Sequence, residues 1–113
     1  MEKQVHIYYS GQVQGIGFRY TLQDLANNQK VRGWVKNLDD TRVEVLVEAE
    51  EDTLNSFLQQ VNQHFSRYIQ DVNIEWLPAS GEFRDFRVYW WRSSFSHTDT
   101  QECPTKSKMQ LSG

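Results

Sequence analysis

Cysteine is nearly absent from this chain: Cys103 is the single example in 113 residues. One thiol excludes an intrachain disulfide, so the core must form without covalent help, and a reducing cytoplasm is the expected compartment. No apolar run is long enough to span a bilayer and no signal-peptide pattern is present, so no membrane partner is expected. Neither sign of charge dominates. Twelve Lys and Arg stand against 15 Asp and Glu, a net charge of −3. That balance argues against nucleic acid as a partner, and it means that any anionic ligand must be drawn in by a local positive spot. His6, His64 and His97 lie far apart and lack cysteine or carboxylate companions at ligand spacing. No metal site is therefore expected, and no cofactor. Internal repeats are also missing.

What remains is enough for one small domain with a thin stability margin. Aromatic residues make up 13 % of the chain and should dominate its core. Trp34, Trp76, Trp90 and Trp91 are read as core or sheet-face packing in preference to base-stacking platforms.

The apolar pattern predicts a β-α-β-β-α-β order plus one short strand. Val5, Ile7 and Tyr9 alternate with His6 and Tyr8, a strand with one buried face. From Phe18, apolar residues recur at Leu22, Leu25 and Ala26, a helical spacing that should end near Asn27 and Asn28. Val31 to Leu38 and Val43 to Ala49 read as strands, joined into a hairpin by residues 38–42. The acidic run Glu48 to Asp52, broken only by Ala49, reads as a solvated helix start. Leu54, Phe57, Leu58, Val61 and Phe65 form the stripe of that second helix. Val72, Ile74 and Trp76 make a fourth strand stopped by Pro78, and Phe86, Val88 and Trp90 a fifth. This is the α+β, split βαβ plan of the ferredoxin-like fold: an antiparallel sheet with two helices on one face. Residues 1–90 are expected to form the domain, and 91–113 a polar tail without periodicity, expected to be disordered.

The segment with the most chemistry is Gly11-Gln-Val-Gln-Gly-Ile-Gly-Phe-Arg19, between the first strand and the first helix. Glycines at 11, 15 and 17 permit the positive φ angles that turn successive N–H groups into one hollow. The helix after them aims its positive end at the same place. Arg19 adds a planar, always-charged fork suited to phosphate oxygens. The pattern predicts an anion cradle for a phosphoryl group.

This segment, together with Gly33-Trp34-Val35-Lys36-Asn37 and then Val43-Glu44, resembles the two signatures of the acylphosphatase family. The resemblance covers roughly residues 3 to 90, and two motifs at this spacing are far more specific than either glycine cluster alone. It implies hydrolysis of the carboxyl–phosphate bond of a small acyl phosphate, yielding carboxylate and inorganic phosphate by in-line attack of water. Carried over by position, Arg19 and the main-chain N–H groups of Gln14, Gly15, Ile16, Gly17 and Phe18 would hold the phosphate. Asn37 would orient the water. Such chemistry needs positioning and charge stabilisation, with neither metal nor phosphoenzyme. A monomer suffices. Two positions depart from the family pattern: Thr41 and Ala49 stand where glycine is usual. Either Thr41 or the more tolerant Asp40 should then adopt positive φ in the hairpin turn.

Two other readings share the fold. A domain that only binds phosphate or carbamoyl phosphate occurs within larger carbamoyl-transferring proteins, and no such partner domain is expected beside this one. An RNA-binding sheet would need aromatics on its central strand, and Val43 to Ala49 has none.

Overall fold

A computed structural model of the chain describes residues 1–89. Trp90, Trp91, His97, Cys103 and the expected tail lie outside the described residues. Seven elements follow in order: β1 (Glu2–Gly11), α1 (Phe18–Gln29), β2 (Arg32–Asn37), β3 (Val43–Glu50), α2 (Glu51–Phe65), β4 (Ile69–Pro78) and β5 (Phe86–Val88). They form one five-stranded sheet in the order β4-β1-β3-β2-β5. The expected ferredoxin-like plan is therefore present.

The alternation read from the sequence places one face of this sheet in the core. Val5, Ile7 and Tyr9 of β1, Val35 of β2 and Val43, Val45 and Val47 of β3 are fully buried. Phe18, Leu22 and Ala26 from α1 and Leu54, Phe57, Leu58, Val61 and Phe65 from α2 cover them. Burial of each such large side chain contributes about 1.5–3 kcal/mol, so this layer is the main source of stability. The first helix runs slightly past the expected asparagines. Lys30 caps it in the left-handed conformation (φ 60), and Val31 N–H closes the last turn on Ala26 O at 2.8 Å.

The sheet corrects one expectation: it is mixed, not purely antiparallel. β1 pairs antiparallel with β3 and β4, β3 antiparallel with β2, and β5 parallel with β2. The reason is where β4 stops. Its last residue, Pro78, lies beside Lys3, at the end of the sheet where β1 and β2 begin. Residues 79–85 cross that end, and β5 starts beside Gly33 and runs the same way as β2.

A second correction concerns Glu48, which is fully buried and does not belong to a solvated helix start. Its carboxylate accepts hydrogen bonds from Ser80 N–H and Oγ–H (both 2.6 Å), Gly81 N–H (3.1 Å) and Gln4 Nε2 (2.7 Å). Burial opposes its ionisation, but these donors outweigh burial and hold the carboxyl below the usual glutamate range. Glu48 thus fastens the crossing loop to the open face. Of the tryptophans, Trp34 lies on that open face beside Tyr89, and Trp76 on the edge strand β4 remains 41 % exposed.

The hairpin turn resolves the choice between Asp40 and Thr41. Thr41 takes the positive φ, at 76°. Asp40 is committed elsewhere: its carboxylate accepts Arg42 N–H at 3.2 Å and Arg42 Nε–H at 2.9 Å. A β-branched residue in this region is strained. Thr41→Gly is expected to stabilise the domain by about 1 kcal/mol, the strain relieved less the added chain entropy. Thermal unfolding should show Tm about 4–8 °C higher; an unchanged or lower Tm would contradict the strain.

Candidate active site

β1, β2 and β5 all run in one direction, so their C-terminal ends meet at the same edge of the sheet. β1 delivers the glycine loop and the start of α1. β2 delivers Asn37, its last residue. β5 delivers the main chain of Tyr89, whose N–H bonds Val35 O at 2.9 Å. A cavity of about 150 Å³ opens there, lined by Val13, Gly15, Gly17, Phe18, Arg19, Tyr20 and Asn37.

The first turn of α1 forms one wall. Gly17 caps the helix at φ 80, with no side chain capping it, and Gly15 in the preceding loop is at φ 78. A left-handed backbone at Gly17 is what turns the chain into the helix at this point. Phe18, Arg19 and Tyr20 then occupy the positions whose N–H groups have no partner within an α-helix. No acidic residue stands in this turn, whereas α2 begins with Glu51 and Asp52. The positive end of α1 thus faces the cavity without a carboxylate of its own, a ready site for an anion. Phe18 anchors the turn. Its ring is 5.1 Å from that of Tyr9 on β1 and 4.6 Å from that of Phe65 on α2.

Arg19 brings full positive charge to the same wall. Its Nη1 donates to Tyr89 O, which fixes the guanidinium from the side of β5. Asn37 stands opposite, 7 % exposed, on the face of β2 that also bears Val35. Its Oδ1 is buried and, among the described residues, accepts no hydrogen bond. A buried acceptor left in that state costs on the order of 1–3 kcal/mol. At the wall of a polar cavity, it can be satisfied by a water or a ligand hydroxyl.

Of the residues singled out from the sequence, Gly15, Gly17, Phe18, Arg19 and Asn37 meet around this cavity. Gln14 and Ile16 lie in the same loop but are not among its lining residues. The Gln14 side chain turns to the hairpin, where Nε2 donates to Leu38 O at 2.8 Å and to Arg42 O at 2.9 Å. Glu44, which ends the second motif, points to the open face. There it lies 2.7 Å from His6 Nε2, 3.2 Å from Tyr8 OH and 3.7 Å from Lys36 Nζ. Burial opposes its charge, yet His6 and Lys36 hold its carboxyl below the ordinary range. Sequence reasoning missed three contributors: Val13, Tyr20 and the carbonyl of Tyr89. Val13 and Tyr20 were within reach, since Val13 lies inside the first motif and Tyr20 directly follows it. A main-chain carbonyl has no residue signature.

Residues 5–88 match the sequence profile of the acylphosphatase family. An acylphosphatase of Bacillus subtilis (strain 168) is 52 % identical over 89 residues, which are 76 % of this chain and 97 % of the relative. The crystal structure of acylphosphatase from Bacillus subtilis superposes with a TM-score of 0.72 at 38 % identity, covering 78 % of this chain and 99 % of that one. Full-length HypF in its phosphate- and nucleotide-bound form also superposes, with a TM-score of 0.72 over 81 % of this chain but 12 % of its own length. At 22 % identity that likeness extends to the fold alone.

Proposed function

This chain belongs to the acylphosphatase family and is a hydrolase of acyl phosphates, and from that premise we propose that the cavity at the start of α1 is its active site. Arg19 and the main-chain N–H groups of residues 14–18 hold the non-bridging oxygens of the phosphoryl group. Asn37 accepts a hydrogen bond from water through Oδ1 and sets that water in line with the bond to be broken. The new bond forms between water oxygen and phosphorus, and the phosphorus–acyl oxygen bond breaks. A carboxylate leaves without needing a strong general acid, and the proton from water passes to phosphate or solvent. The protein's task is charge stabilisation and alignment.

The observation that supports this reading most directly is the convergence of three features on one cavity. They are the uncompensated positive end of a helix, a tethered guanidinium and a buried amide oxygen that accepts no hydrogen bond from the described residues. The reading extends to a monomer working in the cytoplasm on a small substrate, with neither nucleic acid nor membrane as partner. Its supports are the net charge of −3 and the single cysteine.

Asn37→Ala separates binding from chemistry. Steady-state hydrolysis of benzoyl phosphate should lose about two to three orders of magnitude in kcat. Inhibition by inorganic phosphate should stay within about threefold, because the cradle lies on the opposite wall. Phosphate titration followed by amide shifts should move residues 14–19 in both proteins. Undiminished kcat in Asn37→Ala would remove the assigned role. Phosphate binding by the wild-type protein without any turnover would instead favour a domain that only binds phosphate or carbamoyl phosphate.

A further inference from the structure

The Gln14 side chain is not among the residues that line the cavity, yet it is bonded to the hairpin that follows Asn37. Both N–H bonds of one amide are used on the hairpin: one goes to Leu38 O at 2.8 Å, the other to Arg42 O at 2.9 Å. These two carbonyls belong to opposite legs of the turn. Leu38 directly follows Asn37, and Arg42 directly precedes Val43, the cross-strand partner of Asn37. The legs also bond each other, Leu38 N–H to Arg42 O at 2.8 Å. The turn between them includes Thr41 in its unfavourable conformation. A strained turn has reason to shift, and Gln14 is attached to both of its legs. Gln14 in turn is the residue before Gly15, so its backbone belongs to the glycine loop.

We infer that Gln14 is a positioning residue, which bolts the Asn37-bearing hairpin to the glycine loop and so sets the distance between the water-orienting amide and the phosphoryl group. The inference rests on the role of Asn37 given above. Few side chains could serve. The amide nitrogen offers two N–H donors from one atom; a carboxylate of the same size offers none and would repel both carbonyls, and a thioether offers none. Displacing an aligned group by about 1 Å costs on the order of a hundredfold in rate, so a loosened clamp is read in kcat.

Gln14→Met keeps the length of the side chain and removes both donors. With benzoyl phosphate, kcat should fall about ten- to a hundredfold while inhibition by inorganic phosphate stays within about twofold. The same substitution placed in Asn37→Ala should lower the residual rate by less than about twofold, since the group it positions is gone. Gln14→Lys retains several donors on a longer stem and should keep kcat above that of Gln14→Met; this comparison also decides the matter if the methionine variant folds poorly, with Gln14→Glu in its place. Circular dichroism and urea midpoints establish that each variant is folded. Full kcat in folded Gln14→Met, an equal loss in both backgrounds, or a lysine variant no better than methionine or glutamate would each overturn the inference. If Asn37→Ala is itself fully active, the reading of Asn37 fails first, and that outcome is distinct from the other three.

Discussion

Arg19→Ala is expected to abolish measurable turnover of benzoyl phosphate and to weaken inhibition by inorganic phosphate. Among the described residues that line the cavity, Arg19 is the one side chain with a full positive charge. Charge-assisted hydrogen bonds contribute roughly 1.5–3 kcal/mol each, and a guanidinium can give two to one phosphoryl group. Loss of both amounts to about two to four orders of magnitude in binding, and more in rate where charge accumulates in the transition state. The remaining donors, the N–H groups at the start of α1, supply partial charge only. Arg19→Lys should rescue poorly, with less than about one per cent of wild-type kcat/KM. Nη1 donates to Tyr89 O, a contact that fixes the plane of the guanidinium; an ammonium on a flexible stem presents no planar fork to a phosphoryl group. Arg19 is half-buried at the protein surface and outside the apolar core, so both variants should fold. Wild-type activity in Arg19→Ala would defeat the proposed active site outright.

Gly33→Ala is expected to have the largest effect on stability, at a position that never touches the cavity. Gly33 pairs with Val47, and β2 and β3 approach so closely there that a Cβ would fall 1.8 Å from Leu46 O and 2.8 Å from Val47 Cα. Both are main-chain atoms of the central strand and cannot rotate aside. The φ of 143° adds its own penalty for any L side chain. Overpacking and backbone strain together cost about 3 kcal/mol or more, against a typical total of roughly 5–15 kcal/mol for a domain. Tm should fall by about 15 °C or more, with inclusion bodies on expression as the extreme. Activity should fall with the folded fraction, because Asn37 sits four residues along the same strand. A Tm within about 3 °C of wild type would mean that the two strands lie further apart than described.

Much of this architecture was legible from side-chain pattern. Odd-numbered residues from Val5 to Tyr9 in β1 and from Val43 to Ala49 in β3 are apolar and buried under the helices, and the two motifs brought Arg19 and Asn37 to one cavity. What escaped has common physical causes. The direction of β5 depends on which end of the sheet β4 leaves from, and three residues of strand have no sign of it. Glu48 reads as solvent-facing because an acidic run at a helix start normally is. Only the return of Ser80 and Gly81 from distant sequence buries it. Asp40 was the more tolerant candidate for positive φ, yet its carboxylate is engaged by Arg42 and Thr41 takes that conformation. The support of Arg19 by Tyr89 is a main-chain contact, and the grip of Gln14 on the hairpin spans 24 and 28 residues of sequence.

The parallel course of β5 has a practical consequence for how the protein is handled. Tyr89, the last described residue, lies at the rim of the proposed active site, where its carbonyl steadies Arg19. Met1 sits at the opposite pole, highly exposed, its amino group beside Glu50. Affinity tags, fluorophores or surface tethers therefore belong at the amino end, where they stay clear of incoming substrate.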